Sequence, residues 1–154
     1  MKYEEIRDLS PREVAAILRC DDPDELLYVP ISVGLNADDL GWAQEVCVGL
    51  ATHLDERVRG NALLGLGHLA RVHGALDQPR VQPLLEAGLR DESAWVRGQA
   101  HAAVEDVEHF LVWRLGMENP LRDWFEGHEV RQARFRLNDL VQIIEASTPA
   151  SLGR

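Results

Sequence analysis

Asp106 and His109 stand three residues apart in a stretch, Ala103 to Trp113, with helical periodicity. On a helix that spacing sets a carboxylate and an imidazole on one face, the shape of one half of a carboxylate-bridged di-metal site. The other half is missing. No second carboxylate–histidine pair falls on another long helical stretch, so the two residues read as polar surface and no metal is expected. No glycine-rich phosphate loop, serine elbow or Cys/His nucleophile pattern occurs. Gly65 and Gly67 lie inside a helical stretch, where they allow close packing. The chain is therefore expected to hold no cofactor and to be no enzyme, with an enzyme on a helical scaffold as the minority reading.

The same two residues belong to a longer row that suits binding better than catalysis. Trp95, Gln99, Ala102, Asp106, His109 and Trp113 follow one another at steps of four, three, four, three and four. On a helical wheel they fall within about 40° of one line. Thirty-eight residues earlier, the matching positions are Arg57, Asn61, Leu64, His68 and Arg71. If the two helices stack side by side, Asn61, His68, Arg71, Trp95, Gln99, Asp106, His109 and Trp113 share one partner-binding face, with His68 as the expected pair of Asp106. Trp and Arg are enriched among residues that dominate protein interfaces. Large aromatic side chains are also usually buried, which makes Trp113 as well suited to packing as to binding.

A repeat fixes that offset. Asp55-Glu56-Arg57-Val58-Arg59-Gly60-Asn61-Ala62 returns as Ser93-Ala94-Trp95-Val96-Arg97-Gly98-Gln99-Ala100. Each copy begins with a helix N-cap residue and continues as a long Ala- and Leu-rich helix. A period near forty with two helices per unit points to an all-α, HEAT-like α-solenoid of antiparallel helix pairs with capping helices at both ends. Arg59 and Arg97 read as structural, tying one unit to an acid of the next.

The elements follow from spacing. Ser10-Pro11-Arg12-Glu13 is a capping box opening a short helix, which Asp21-Asp22-Pro23 breaks. Residues 26–35 read as a helical or irregular apolar segment, since no second strand is available to pair with it. Four long helices are predicted near 38–53, 56–72, 79–89 and 93–115. Leu40, Ala43, Val46, Cys47, Leu50 and Leu54 are the expected buried stripe of the first, and Val96, Ala100, Ala103, Val104, Val107, Phe110 and Leu111 that of the last. Pro83 should bend the third or delay its start. The chain reads as one domain: an N-terminal helix and packed segment over 1–35, two repeat units over 36–116, capping helices over 117–146, and a small polar tail over 147–154.

Charge narrows the partners. The net charge is −10, and residues 1–56 carry 13 Asp/Glu against 4 Lys/Arg. That balance argues against nucleic acid. Asp21, Asp22, Asp24 and Glu25 form a second candidate binding set, for a basic protein partner. Asp38, Asp39 and Glu45 extend it, although capping accounts for Asp38 and Asp39. No apolar run is long enough to span a bilayer, the first residues resemble no signal peptide, and Cys20 and Cys47 read as buried free thiols. A cytoplasmic protein is expected.

Particular residues also resemble a family. Pro30-Ile31-Ser32-Val33 leads to a helix with Trp42 and Cys47; then come Gly67-His68-Leu69-Ala70-Arg71-Val72-His73-Gly74 and Ala103-Val104-Glu105-Asp106-Val107-Glu108-His109-Phe110-Leu111-Val112-Trp113. Over roughly residues 26–116 the chain is similar to small bacterial HEAT-like repeat proteins, some put forward as immunity partners of polymorphic toxins. The resemblance implies a protein-binding module without catalytic residues, whose partner could be a basic toxin domain. A scaffold or adaptor without a toxin partner is the alternative.

Overall fold

The structure, a computed structural model, describes residues 7–111, 113 and 115. The helices expected near 121–126 and 129–145, the basic residues Arg131, Arg134 and Arg136, and the tail lie outside the described residues. Within them the fold is all-α: α1 (Pro11–Cys20), α2 (Pro23–Leu26), α3 (Val29–Asn36), α4 (Leu40–Leu50), α5 (Glu56–His73), α6 (Gln78–Leu89) and α7 (Ala94–Leu111).

Side chains at the helix starts set most of these boundaries. Ser10 and Glu13 close the capping box of α1 reciprocally, at 3.2 and 3.3 Å. Asp22, Asp39 and Asp55 accept a backbone N–H at the starts of α2, α4 and α5. Asp21 ends α1 in the left-handed region at φ 48°, and Gly74 ends α5 at φ 67°. Pro83 sits inside α6 without delaying its start.

The helices α3, α5 and α7 lie side by side and run the same way. Contacts between α3 and α5 rise together along both: Asn61 meets Leu27, Gly65 meets Pro30, and His68 meets Gly34. Between α5 and α7, Gly60 meets Trp95, Asn61 meets Gln99, and Gly67 meets Ala103. A second row backs the first, with α4 packed on α5 and α6 on α7. An Arg80–Glu45 ion pair joins α6 to α4. One core runs through both rows, from Val14 to Leu115.

Glycine permits the close approach. A Cβ on Gly65 would stand 2.6 Å from the Pro30 carbonyl oxygen and 3.0 Å from Cys47 Sγ. A Cβ on Gly67 would stand 2.8 Å from Ala103 Cα. Neither the Pro30 carbonyl nor the Ala103 Cα can yield easily, because both are helix backbone.

The repeat extends to individual hydrogen bonds. Arg59 Nη1 donates to the carbonyls of His53 and Leu54, and Arg97 Nη1 to those of Asp91 and Glu92, 38 residues on. The Asp55 N–H donates to His53 Nδ1 and the Ser93 N–H to Asp91 Oδ1 at matching positions. Arg59 also reaches forward to Asp91 with two bonds, of 2.7 and 2.9 Å, tying the two units together. Both partners are mostly buried, and the Arg59 hydrogen bonds hold the Asp91 carboxyl below its usual range.

Three burial expectations are corrected. Cys20 is exposed, because it closes α1 on the solvent side; Cys47 alone is buried, and burial pushes its thiol up to about 12. Leu54 is 97% exposed, since α4 ends at Leu50 and the turn that follows leaves the helical phase. Phe110 is 42% exposed and Leu111 partly buried, since they fall in the last turn of α7.

Two predictions follow from this packing. Gly65→Ala should destabilise the fold by about 1–3 kcal/mol through overpacking. Gly98→Ala, at a helical glycine facing open space, should stabilise by about 0.5–1 kcal/mol. Urea unfolding checks both signs. Asp91→Asn retains the turn geometry but loses the ion pair, and should cost about 1.5–3 kcal/mol at neutral pH. Because the native carboxyl is depressed, its contribution is complete above about pH 4 and is lost as pH falls through the lower native value. The gap between wild type and Asp91→Asn should therefore close on acidification.

Candidate functional site

The α5 and α7 rows meet as a ladder. The Asn61 amide donates to the Leu27 carbonyl at 2.8 Å, and its oxygen accepts from Gln99 Nε2 at 3.0 Å. These two bonds tie α5 to the chain just before α3 on one side and to α7 on the other. Asn61 is buried and Gln99 partly so, which commits both amides to stacking. The surface above them belongs to Trp95. Its ring lies over Gly60, where a Cβ would come within 2.9 Å of the indole Nε1. Trp95 thus stays 49% exposed while seated on backbone.

Further along the row lie His68, Arg71 and Asp106. Arg71 Nη2 donates to His68 Nδ1 at 3.2 Å. Burial between its neighbours lowers the His68 pKa, the Arg71 charge lowers it further, and Asp106 across on α7 opposes both. The expected His68–Asp106 pair does not form as an ion pair: His68 is held by Arg71 on its own helix, and Asp106 acts on it only through its charge. His109 is exposed and stacks edge-on against Phe110 at 4.6 Å. Trp113 lies partly buried against the core, the packing role its size favours.

The acidic set is divided. Asp21 pairs with His53 at 3.0 Å, Asp22 caps α2, and Asp24 pairs with Arg57 at 3.0 Å. Arg57 also holds Asp55, whose pKa is lowered mainly by that hydrogen bond. Glu25 is exposed on α2. Asp39 caps α4 and Glu45 pairs with Arg80. Asp21, Asp24 and Asp55 therefore stand at the start of α5, next to the Trp95 end of the row, whereas Asp39 and Glu45 on α4 lie away from it.

Two residues of this surface were missed by pattern reading. Tyr28 is 46% exposed just before α3, within an apolar run that sequence places against the repeats. Leu54 falls at helical spacing and so reads as core. Alignment of the two copies carries the signal that could have found it, because Leu54 matches the charged Glu92 in the other copy. Among the described residues no three His, Cys, Asp or Glu side chains converge as metal ligands. No helix among them is long and apolar enough to cross a membrane.

Helices in two rows with an exposed polar–aromatic edge define an all-α protein. The chain is similar to a chain in the crystal structure of a CDI complex from Cupriavidus taiwanensis LMG 19424, with a TM-score of 0.62 and 26% sequence identity, over 71% of this chain and 97% of that one. No protein-family model matches the chain, and no curated protein matches it significantly.

The His68 environment makes a direct prediction. Its ring should titrate below about 6.5, and NMR should show Arg71→Gln raising that value and Asp106→Asn lowering it. Since the native pKa is depressed, the stability tied to neutral His68 is complete above pH 6.5 and is lost as pH falls towards the native value.

Proposed function

We propose that the chain is a HEAT-like α-solenoid that binds protein, and that it serves as the cytoplasmic immunity member of a toxin–immunity pair. The observation that supports this best is the likeness to a chain of a CDI (contact-dependent inhibition) complex, which takes in 97% of that chain. The likeness covers nearly the whole of a chain found in a complex, so it rests on the entire fold and not on a single helix pair. The stacking of α3, α5 and α7 in register with a 38-residue repeat supports the solenoid reading.

The mechanism is occlusion. Trp95, seated rigidly on Gly60, can enter a partner pocket without ordering a flexible side chain, which lowers the entropic cost of binding. His68 and Asp106, further along the same row, add polar groups at the margin of that surface. The acids beside α5 steer a basic toxin domain towards this edge. The chain contributes no catalytic step, cofactor or metal in this reading; it acts by covering the toxin's active surface.

The test is co-expression with the C-terminal domain encoded by the reading frame upstream of the gene. The expected result is rescue of growth and a stable complex of the purified proteins. Trp95→Ala should weaken that complex by on the order of 2 kcal/mol, mainly through faster dissociation. A toxic domain that kills equally with and without this chain, and does not bind it, would overturn the reading.

A further inference from the structure

We infer that the partner docks on the end of the helix row where α3, α5 and α7 begin, with Leu54 as its apolar anchor, and that the surface it fits is an apolar pocket rimmed by Lys and Arg side chains. This rests on the protein-binding reading and gives it a location and a chemistry.

Leu54 is the starting observation. A leucine exposed to 97% contributes almost nothing to the core, and a single exposed leucine is ordinary. This one differs in how it is held. Arg59 Nη1 donates to the carbonyls of His53 and Leu54, one on each side of the Leu54 Cα, at 2.9 and 3.2 Å. The His53 ring accepts the Asp55 N–H through Nδ1 and meets Asp21 through Nε2, each at 3.0 Å. An apolar side chain is thus presented to water on a turn fixed from three directions. Ordering it in a complex costs little conformational entropy.

The repeat shows that the fold does not require it. Arg97 clamps the next turn through the same two carbonyl positions, and there Glu92 occupies Leu54's place. A glutamate satisfies that turn. The leucine is therefore a departure of one copy from a shared design, at its most exposed point.

The surroundings identify the occupant. Trp95, on the first turn of α7, and Tyr28, just before α3, are half-exposed at the same end of the row. Tyr28 follows Leu27, whose carbonyl Asn61 holds, and Trp95 rests beside Asn61 on Gly60. Charge then sets the rim. The segments 21–25, 52–59 and 90–97, which form this end, carry eight Asp/Glu against four Arg. Arg57 and Arg59 are already paired with Asp24, Asp55 and Asp91. Apolar anchors inside a net negative ring fit a basic protein surface with an apolar centre.

The test uses the full chain and the purified domain from the upstream reading frame as probe, in a kinetic binding assay. Leu54→Ser removes no core contact and should melt with wild type, yet dissociate at least ten-fold faster. The triple variant Glu25→Gln, Glu56→Gln, Glu92→Gln, which spares the paired acids, should associate several-fold more slowly and lose much of the salt dependence. Val72→Ser, a half-exposed residue at the other end of α5, should bind as wild type. If wild type binds but Leu54→Ser is indistinguishable from it, or Val72→Ser is the variant that weakens, the docking site is wrong while the protein-binding reading stands. If wild type forms no complex with the domain, the reading itself falls, and the inference with it.

Discussion

The close approach of α5 to the helices on either side of it is the constraint on which the rest depends. Gly65 lets the α3 backbone reach it, and Gly67 lets α7 do so. Each glycine weakens a helix interior slightly relative to alanine. The return is that three parallel helices sit near enough for one buried amide, Asn61, to bond the Leu27 carbonyl just before α3 and Gln99 on α7 at once. A buried amide left unpaired would be costly, so the ladder enforces the register that the glycines permit.

That register carries the Arg59–Asp91 pair and the two arginine-clamped turns. The turns need no apolar packing of their own, because a guanidinium fixes their carbonyls. Residues at their tips are consequently free of structural duty, as the exchange of Leu54 for Glu92 shows. Rigid turns with unconstrained tips are a common arrangement for recognition, since loops on a firm scaffold can vary without loss of fold. Stability in such a chain resides in what the copies share.

Charge is organised on the same plan. Most acids near the α5 start are used locally, by Asp21 with His53, Asp22 as a cap, and Asp24 with Arg57. Exposed pairs of this kind add little stability each. Their summed field still leaves this end negative, because acids outnumber arginines there two to one. Local pairing of these carboxylates therefore leaves the net negative charge of this end in place.

Much of the architecture was legible in the sequence. Cap residues Ser10, Asp39 and Asp55 and the terminating Gly74 mark helix ends because they act within a few residues of their partners. The offset of 38 placed Asn61 opposite Gln99 because stacked copies of one unit must share a register. What periodicity could not decide is where a helix stops short of its apolar pattern. Leu54 continues the α4 stripe in sequence, yet the chain turns after Leu50 and delivers it to solvent. Tyr28 was hidden for the reverse reason, as an exposed ring in an apolar run. Nor could spacing reveal that Asn61 is spent between helices while Trp95 stays open, since it sets the rows of both on one shared face. The tertiary structure decided that: a neighbouring carbonyl at Leu27 draws the amide inward, and the bare backbone at Gly60 holds the indole out.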